Sequence, residues 1–287
     1  MSQCEPADDI HYVLDPEELT FLKKETGIED EDALKAHVLA IQRDAKKVYA
    51  YPCIRRFGFV RLKICKLKSA YEHVLEIGRS VPGAVLLDLG CCFGTDLRKI
   101  ASDGFPIRNI IASDLRRDFW DLGHKVFRST PDTFPVTFVE GDAMDQFFLP
   151  LYPLVKGEPE GAVPDLASLK SFIGLQGRLS AIHSASLFHL FGEAMQLELA
   201  RKLAGLLSPH PGSMIFGCHA GQPTKGYTPA SPGKYMFCHT PESWREMWDG
   251  EVFEKGSVEV VTHLKLVGKL LNPTTDFYMM FWSIKRV

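Results

Sequence analysis

The chain has 287 residues, of which 45% are hydrophobic and 24% charged, an ordinary composition for one large α/β domain with an extension. Its formal net charge of −3 gives no basic field for nucleic acid, and no apolar run is long enough to span a bilayer. The seven cysteines are scattered and odd in number, and we recognise no signal peptide, which predicts reduced thiols in a cytoplasmic protein.

Helical and extended segments alternate along most of the chain. Apolar positions at helical spacing, with end signals such as Pro16 and Gly27, predict helices at 15–27, 31–49, 67–77, after Gly94, and at 116–127, 166–173, 193–207 and 241–248. Strands are predicted from Val85 and at 107–113, 136–139, 179–184, 213–218, 258–267 and 277–285. Loops are predicted at 150–164 and 221–240, and the aromatic and basic segment 51–59 is not a plain helix.

This order predicts an α/β fold. Strands alternating with helices indicate a doubly wound, mainly parallel sheet of seven strands. The last two strands have no room between them for a crossover helix, so they are predicted to form an antiparallel C-terminal hairpin. The chain is thus divided into an N-terminal helical extension or lid at 1–80 and a cofactor-binding domain at 81–287.

The turn after the first strand is the strongest local signal. It reads Asp88-Leu89-Gly90-Cys91-Cys92-Phe93-Gly94, in which the two glycines allow a sharp strand-to-helix turn and a close backbone approach to a ligand. Thr95 is predicted to cap the following helix, with Asp96 in its first turn. We therefore expect a nucleotide-type site at the carboxyl end of this strand.

The residue in the middle of the turn indicates which kind of nucleotide the site binds. A dinucleotide fingerprint needs glycine there so that the backbone can approach a pyrophosphate, whereas this chain has Cys92. S-Adenosyl-L-methionine (AdoMet) has no pyrophosphate and tolerates a side chain. Adjacent Cys91 and Cys92 make a poor zinc pair and lack a second cysteine pair at ligand spacing, so no metal site is predicted.

An acidic residue closes each of the first three predicted strands. These strand ends line one crevice in a doubly wound sheet. Asp114 is predicted to accept hydrogen bonds from ribose hydroxyls, with Leu115 packing against the adenosine. Asp142 and the backbone of Ala143 are predicted to face adenine, and Asp88 is predicted to help hold the cationic methionine end.

The turn and the closing hairpin resemble motif I and the fold of class I AdoMet-dependent methyltransferases. A narrower likeness rests on residues 51–57 (Tyr-Pro-Cys-Ile-Arg-Arg-Phe), 88–98, 183–191 (His-Ser-Ala-Ser-Leu-Phe-His-Leu-Phe) and 239–244 (His-Thr-Pro-Glu-Ser-Trp). Together they resemble the fungal carboxyl O-methyltransferases of meroterpenoid pathways. That resemblance implies a Rossmann-like fold, AdoMet as cofactor, a small aromatic or terpenoid acid as acceptor, and a homodimer.

The chemistry of methyl transfer indicates which residue types could bind or activate the acceptor. A carboxylate is already ionised at neutral pH and needs positioning, whereas a phenol needs a base such as histidine. The candidates for catalysis are His183, Ser184, Arg55 and His189, and those for acceptor binding are Tyr51, Arg55, Phe57, His219 and His239. Cofactor binding is assigned to Asp88, Gly90, Cys91, Cys92, Gly94, Asp114, Leu115, Asp142, Ala143 and Ser184.

Other functions stay open beside carboxyl methylation. A phenolic O- or C-methyltransferase is one alternative, and an NAD-type oxidoreductase is disfavoured by Cys92 and the closing hairpin. A non-catalytic AdoMet-binding partner protein is an alternative of another class. A nucleic-acid methyltransferase is disfavoured because 184–187 reads Ser-Ala-Ser-Leu rather than Asn-Pro-Pro-Tyr. We expect the N-terminal segment and the loops at 150–164 and 221–240 to close over the acceptor.

Overall fold

A computed structural model describes residues 11–159, 161, 164–231, 233–269 and 275–287. The helices are α1 Pro16–Thr26, α2 Glu31–Val48, α3 Pro52–Arg55, α4 Lys68–Ser80, α5 Thr95–Ser102, α6 Arg117–Val126, α7 Glu193–Leu206 and α8 Pro241–Trp248. The strands are β1 Leu86–Leu89, β2 Ile110–Asp114, β3 Thr137–Glu140, β4 Ala181–Ala185, β5 Met214–Gly221, β6 Gly226–Ser231, β7 Lys234–Cys238, β8 Val258–Lys269 and β9 Asp276–Arg286.

Seven of these strands form one sheet, in the order β3-β2-β1-β4-β5-β9-β8. Neighbours from β3 to β5 are parallel, and β9 runs antiparallel to both β5 and β8. The order reverses between β1 and β4, which places a crevice at the carboxyl ends of the central strands. The predicted α/β fold, including its antiparallel C-terminal pair, is confirmed.

Local signals at helix ends explain most of the helix boundaries. Gly27 ends α1, as predicted, and does so in the left-handed conformation; at the other end the Asp15 carboxylate accepts the Glu18 backbone N–H. The prediction for Thr95 was wrong, because Gly94 is the N-cap of α5. Thr95 lies one residue inside the helix, where its hydroxyl donates to Phe59 O at 2.5 Å.

The helices of residues 16–80 pack against the α/β domain through a shared apolar cluster. Leu34, Val38 and Ile41 of α2 belong to the same cluster as Phe93 of the turn and Phe119 of α6. The buried Gln42 side chain donates to the carbonyls of Ile54 and Arg55, which ties α3 to α2. The division of the chain at residue 80 and the role of a lid stay predictions.

Two connecting segments differ from the sequence-based expectation. Residues 221–240 contain β6 and β7, which form an antiparallel pair, because the β-prone run Lys234–Cys238 has an extended partner in spite of Pro229. Residues 166–173 contain only a 3-10 turn at Leu166–Ser168. Part of the predicted loop 150–164 lies outside the described residues. In the described part of the chain no helix combines the length and apolar character needed to cross a bilayer.

Candidate donor and acceptor site

The turn between β1 and α5 is held in left-handed conformations. The φ angles are +81° at Gly90, +52° at Cys92 and +68° at Gly94. A Cβ at Gly94 would lie 2.6 Å from the Trp120 ring, so this position accepts only glycine without rearrangement. Cys92 adopts a conformation that favours glycine, and the cysteine therefore keeps the backbone shape of the glycine-rich turn.

Asp114 at the end of β2 fastens this turn. Its two carboxylate oxygens accept the backbone N–H groups of Cys92 at 2.9 Å and Arg116 at 3.1 Å. Burial raises the pKa of Asp114, although these two donors oppose the rise. A carboxylate has about four lone-pair sites, so each oxygen can still accept one ribose hydroxyl.

Asp88 and His183 form a buried pair on adjacent strands. His183 Nδ1 donates to Asp88 Oδ1 at 2.9 Å, and the carboxylate outweighs burial and raises the pKa of His183. His183 Nε2 is buried without a hydrogen-bond partner among the described residues. The Ser184 hydroxyl donates to Leu89 O at 3.2 Å, so it joins β4 to β1.

The predicted adenine side is open to solvent. Leu115 is 53% exposed, and Asp142 is exposed with one oxygen accepting the Met144 N–H at 2.8 Å. The buried Lys202 ammonium donates to the carbonyls of Ala143 and Met144, which fixes the backbone after β3. Asp114 ends β2, and Asp142 follows the adjacent strand β3, so both acids lie at neighbouring strand ends, as predicted.

A fully buried aromatic cluster lies beside β5 and β9. It consists of Phe188, His219, Trp244, Trp248 and Trp282, each 0% exposed, whose rings pack edge to face, tilted or stacked. Trp282 Nε1 donates to His219 Nδ1 at 2.8 Å. Because an indole N–H only donates, the proton of neutral His219 resides on Nε2, which is buried without a partner among the described residues.

Two further histidines border this cluster. The Ala220 backbone N–H donates to His189 Nδ1 at 3.4 Å, and burial lowers the pKa of His189 to about 4. His239 Nδ1 lies 2.9 Å from Ser243 Oγ, and burial lowers its pKa to about 4 as well. Burial also lowers the pKa of His219. At neutral pH all three side chains are uncharged.

The predicted N-terminal candidates lie in different environments. Phe57 is 1% exposed and packs against Tyr12 and Phe59, within the apolar cluster that joins the extension to the domain. The Tyr51 ring contacts Tyr49 and Phe119, and Arg55 is exposed. As placed, the Phe57 ring therefore forms core and has almost no free surface, and the acceptor roles of Tyr51 and Arg55 stay predictions.

Sequence reasoning missed Lys63. Its side chain enters the crevice region from the segment before α4, where its ammonium donates to Gly58 O at 2.9 Å. The sequence signal for it was weak: Lys63 stands between the buried Leu62 and Ile64, but in a segment that carries basic residues from Arg61 to Lys68. Nothing in that pattern distinguishes Lys63 from its basic neighbours.

The residues present fit an adenosyl ligand. Asp114 keeps lone pairs for a diol, the left-handed turn beside it includes the half-buried Gly90 and Cys92, and His183 Nε2 is a buried polar atom without a partner among the described residues. Within the described residues, no group of three or more histidine, cysteine or acidic side chains is arranged to hold a metal ion.

Comparisons with known proteins agree with this geometry. A family model described as the meroterpenoid methyltransferase N-terminal domain matches residues 7–60. The chain is 29% identical over 222 residues to O-methyltransferase phiE of a fungal species, with 77% of this chain and 66% of that protein covered. It is 32% identical over 221 residues to O-methyltransferase atr3 of Stereocaulon alpinum, with 76% and 57% covered.

A third relative is aligned over more of its length. The chain is 30% identical over 265 residues to methyltransferase ausD of Penicillium brasilianum, with 89% of this chain and 84% of that protein covered. The chain spans less than two thirds of the length of the first two relatives. With its sheet order and donor-site geometry, the chain belongs to the class I AdoMet-dependent methyltransferases and is related to those of fungal secondary metabolism.

Proposed function

We propose that this protein methylates the carboxylate of a small prenylated aromatic acid, an intermediate of a meroterpenoid pathway. The family model for the N-terminal domain of meroterpenoid methyltransferases, matched at 7–60, supports the pathway class. The arrangement of the histidines supports the carboxylate, as argued below.

The donor side of the mechanism rests on the strand ends. Bound AdoMet supplies an electrophilic methyl group on a sulfonium sulfur. Asp114 accepts the ribose hydroxyls with the lone pairs that Cys92 and Arg116 leave free, and Asp142 accepts from the adenine amino group. Asp88, held near the end of β1 by His183, is assigned to the cationic methionine end, toward which its carboxylate would contribute negative potential.

The tautomer of His219 is the observation that carries the choice of acceptor. Since Trp282 donates to Nδ1, Nε2 carries the proton and can donate to an oxygen but cannot remove a proton. His189 has the same tautomer, because the Ala220 N–H occupies its Nδ1. A phenol has a pKa near 10, far above the value of about 4 for His189, so this histidine is a poor base for it.

An ionised carboxylate needs hydrogen-bond donors that position it and surroundings without water. The Nε2–H of the half-buried His189 can hold an acceptor oxygen, and the buried aromatic cluster that contains His219 keeps water from this side of the site. We propose that residues 51–59, the described residues of 150–164 and the β6–β7 hairpin contact the acceptor and its prenyl chain. This assignment includes the half-buried Tyr51 and the exposed Arg55 of the N-terminal segment.

The first experiment is calorimetric titration with AdoMet, S-adenosylhomocysteine and NAD. We expect both adenosyl ligands to bind, Asp114→Ala to abolish their binding, and Asp132→Ala, an exposed position in the loop before β3, to leave it unchanged. Binding of NAD alone would contradict the donor assignment.

The second experiment tests the acceptor by mass spectrometry of products. A geranylated 2,4-dihydroxybenzoic acid should yield a methyl ester, and the corresponding carboxamide should yield no methyl ether. Methylation of a phenolic oxygen in both compounds would favour the phenol alternative. Binding of AdoMet without turnover of any acid or phenol would favour the non-catalytic partner protein. The homodimer and the cytoplasmic location belong to the same proposal, and analytical ultracentrifugation tests the first.

A further inference from the structure

The segment that carries Lys63 is fastened directly to the donor turn. The backbone N–H groups of Lys63 and Ile64 donate to Asp96 Oδ1 at 2.7 and 2.9 Å, in the first turn of α5. One residue earlier in α5, the Thr95 hydroxyl donates to Phe59 O. These bonds fix the backbone on both sides of Lys63 relative to the glycine-rich turn.

The Lys63 ammonium is charged and incompletely paired. Burial opposes the charge, but Asp96 and the neighbouring cysteines together raise the pKa of Lys63, so the side chain is protonated at neutral pH. Its ammonium donates to Gly58 O, and no ion pair joins it to a carboxylate of the described residues. An ammonium has three N–H donors, which leaves two for another partner.

The groups that respond to this charge show which side of the crevice it faces. The Lys63 ammonium contributes to lowering the pKa of His189 after β4. It also opposes the burial-driven rise in the pKa of Cys218 on β5 and of Cys92 in the turn. It also acts to lower the pKa of Asp88 and of His183, the buried pair between β1 and β4. The ammonium therefore lies among the ends of β1, β4 and β5, where the methionine end of the donor and the acceptor are proposed to meet.

We propose that Lys63 binds the carboxylate of the methyl acceptor and positions it beside the donor. The inference rests on the proposed carboxyl methylation and deepens it. One carboxylate oxygen accepts from the Lys63 ammonium, and the other remains free to attack. The new bond joins that oxygen to the methyl carbon, the sulfur–methyl bond breaks with its electron pair left on sulfur, and no proton is transferred. The negative carboxylate and positive sulfonium become a neutral ester and a neutral thioether.

Lys63 could bind either of two carboxylates, that of the acceptor or that of the methionine part of the donor. The experiment distinguishes between them. Lys63→Met keeps the length of the side chain and removes the charge, Lys63→Arg keeps the charge, and Lys68→Met is the control at an 84% exposed side chain in the same region. Unfolding curves establish that each variant is folded. Calorimetry then measures S-adenosylhomocysteine, and in its presence the geranylated acid and its carboxamide.

We expect Lys63→Met to weaken binding of the acid by about 10- to 100-fold, the usual effect of one hydrogen bond to a charged group, with Lys63→Arg closer to wild type. Binding of S-adenosylhomocysteine and of the carboxamide should change less than about twofold. Loss of S-adenosylhomocysteine binding would assign the ammonium to the donor and overturn the proposal. Unchanged binding of all three ligands would overturn it as well.

The wild-type protein tests the underlying function separately. If it binds acid and carboxamide equally, or methylates a phenolic oxygen, the proposed carboxyl methylation fails whatever the variants show. If it prefers the acid and Lys63→Met retains that preference, the function stands and Lys63 is not the residue that recognises the carboxylate.

Discussion

Substitution of Gly94 by alanine tests whether a steric contact determines the shape of the donor turn. Gly94 has φ +68° and would place a Cβ 2.6 Å from the Trp120 ring and 3.1 Å from Arg98. Gly83 has nearly the same φ, +71°, and its Cβ would meet nothing within 4 Å. The two positions thus share the cost of a left-handed alanine and differ in available space.

The magnitudes follow from these two terms. A left-handed alanine costs about 1–2 kcal/mol, which is the whole effect expected for Gly83→Ala. Overpacking of a rigid aromatic ring adds about 1–3 kcal/mol, so Gly94→Ala should lower the free energy of unfolding by about 2–5 kcal/mol. Gly94→Ala should also weaken binding of S-adenosylhomocysteine, because the turn must shift, whereas Gly83→Ala should not.

Urea denaturation followed by circular dichroism measures both free energies of unfolding, and calorimetry measures both affinities. Equal destabilisation by the two variants, within about 0.5 kcal/mol, would show that the contact with Trp120 adds no steric cost to alanine at position 94. Normal ligand binding by a destabilised Gly94→Ala protein would show that the turn and the donor site are independent.

Three further predictions concern stability. Burial lowers the pKa of His239 to about 4 from 6.5, so the folded state disfavours its protonation. The free energy of unfolding should therefore fall by about 3 kcal/mol as the pH decreases from above 6.5 to 4. In urea titrations at a series of pH values, His239→Asn should remove that part of the pH dependence. Gln42→Ala removes the side-chain donor from the carbonyls of Ile54, which keeps the Phe57 N–H, and Arg55, and denaturation should report a loss of about 1–2 kcal/mol, with an unchanged midpoint contradicting the role of this side chain. Asp15→Ala removes the cap of α1 and should cost about 1 kcal/mol, while Asp15→Asn should cost clearly less.

Features with local causes were predictable from the sequence. The glycine-rich turn and the acids after the parallel strands follow from short-range geometry, and the spacing of 258–267 and 277–285 excluded a crossover helix between them. The capping of α1 by Asp15 and Gly27 follows from the conformational preferences of two residues. Each of these features needs information from only a few neighbouring positions.

Features that depend on distant residues were not predictable in the same way. The Asp88–His183 bond joins positions that meet only because β1 and β4 are neighbours, and no local pattern predicts the register of those two strands. The tautomer of His219 depends on Trp282, a residue of the last strand. Lys63 reaches the crevice because Asp96 holds its backbone, which no periodicity reveals.

The position of β9 has a consequence for how the protein folds during translation. This strand lies between β5 and β8, although it follows both in the chain. The donor-side strands β1, β2 and β3 can pair as soon as they leave the ribosome, whereas β5 keeps an open edge until β9 has been made. Trp282 arrives with β9, so His219 acquires its hydrogen-bond donor only in the last step of sheet assembly. A nascent chain can therefore complete the nucleotide side of its crevice before the acceptor side exists.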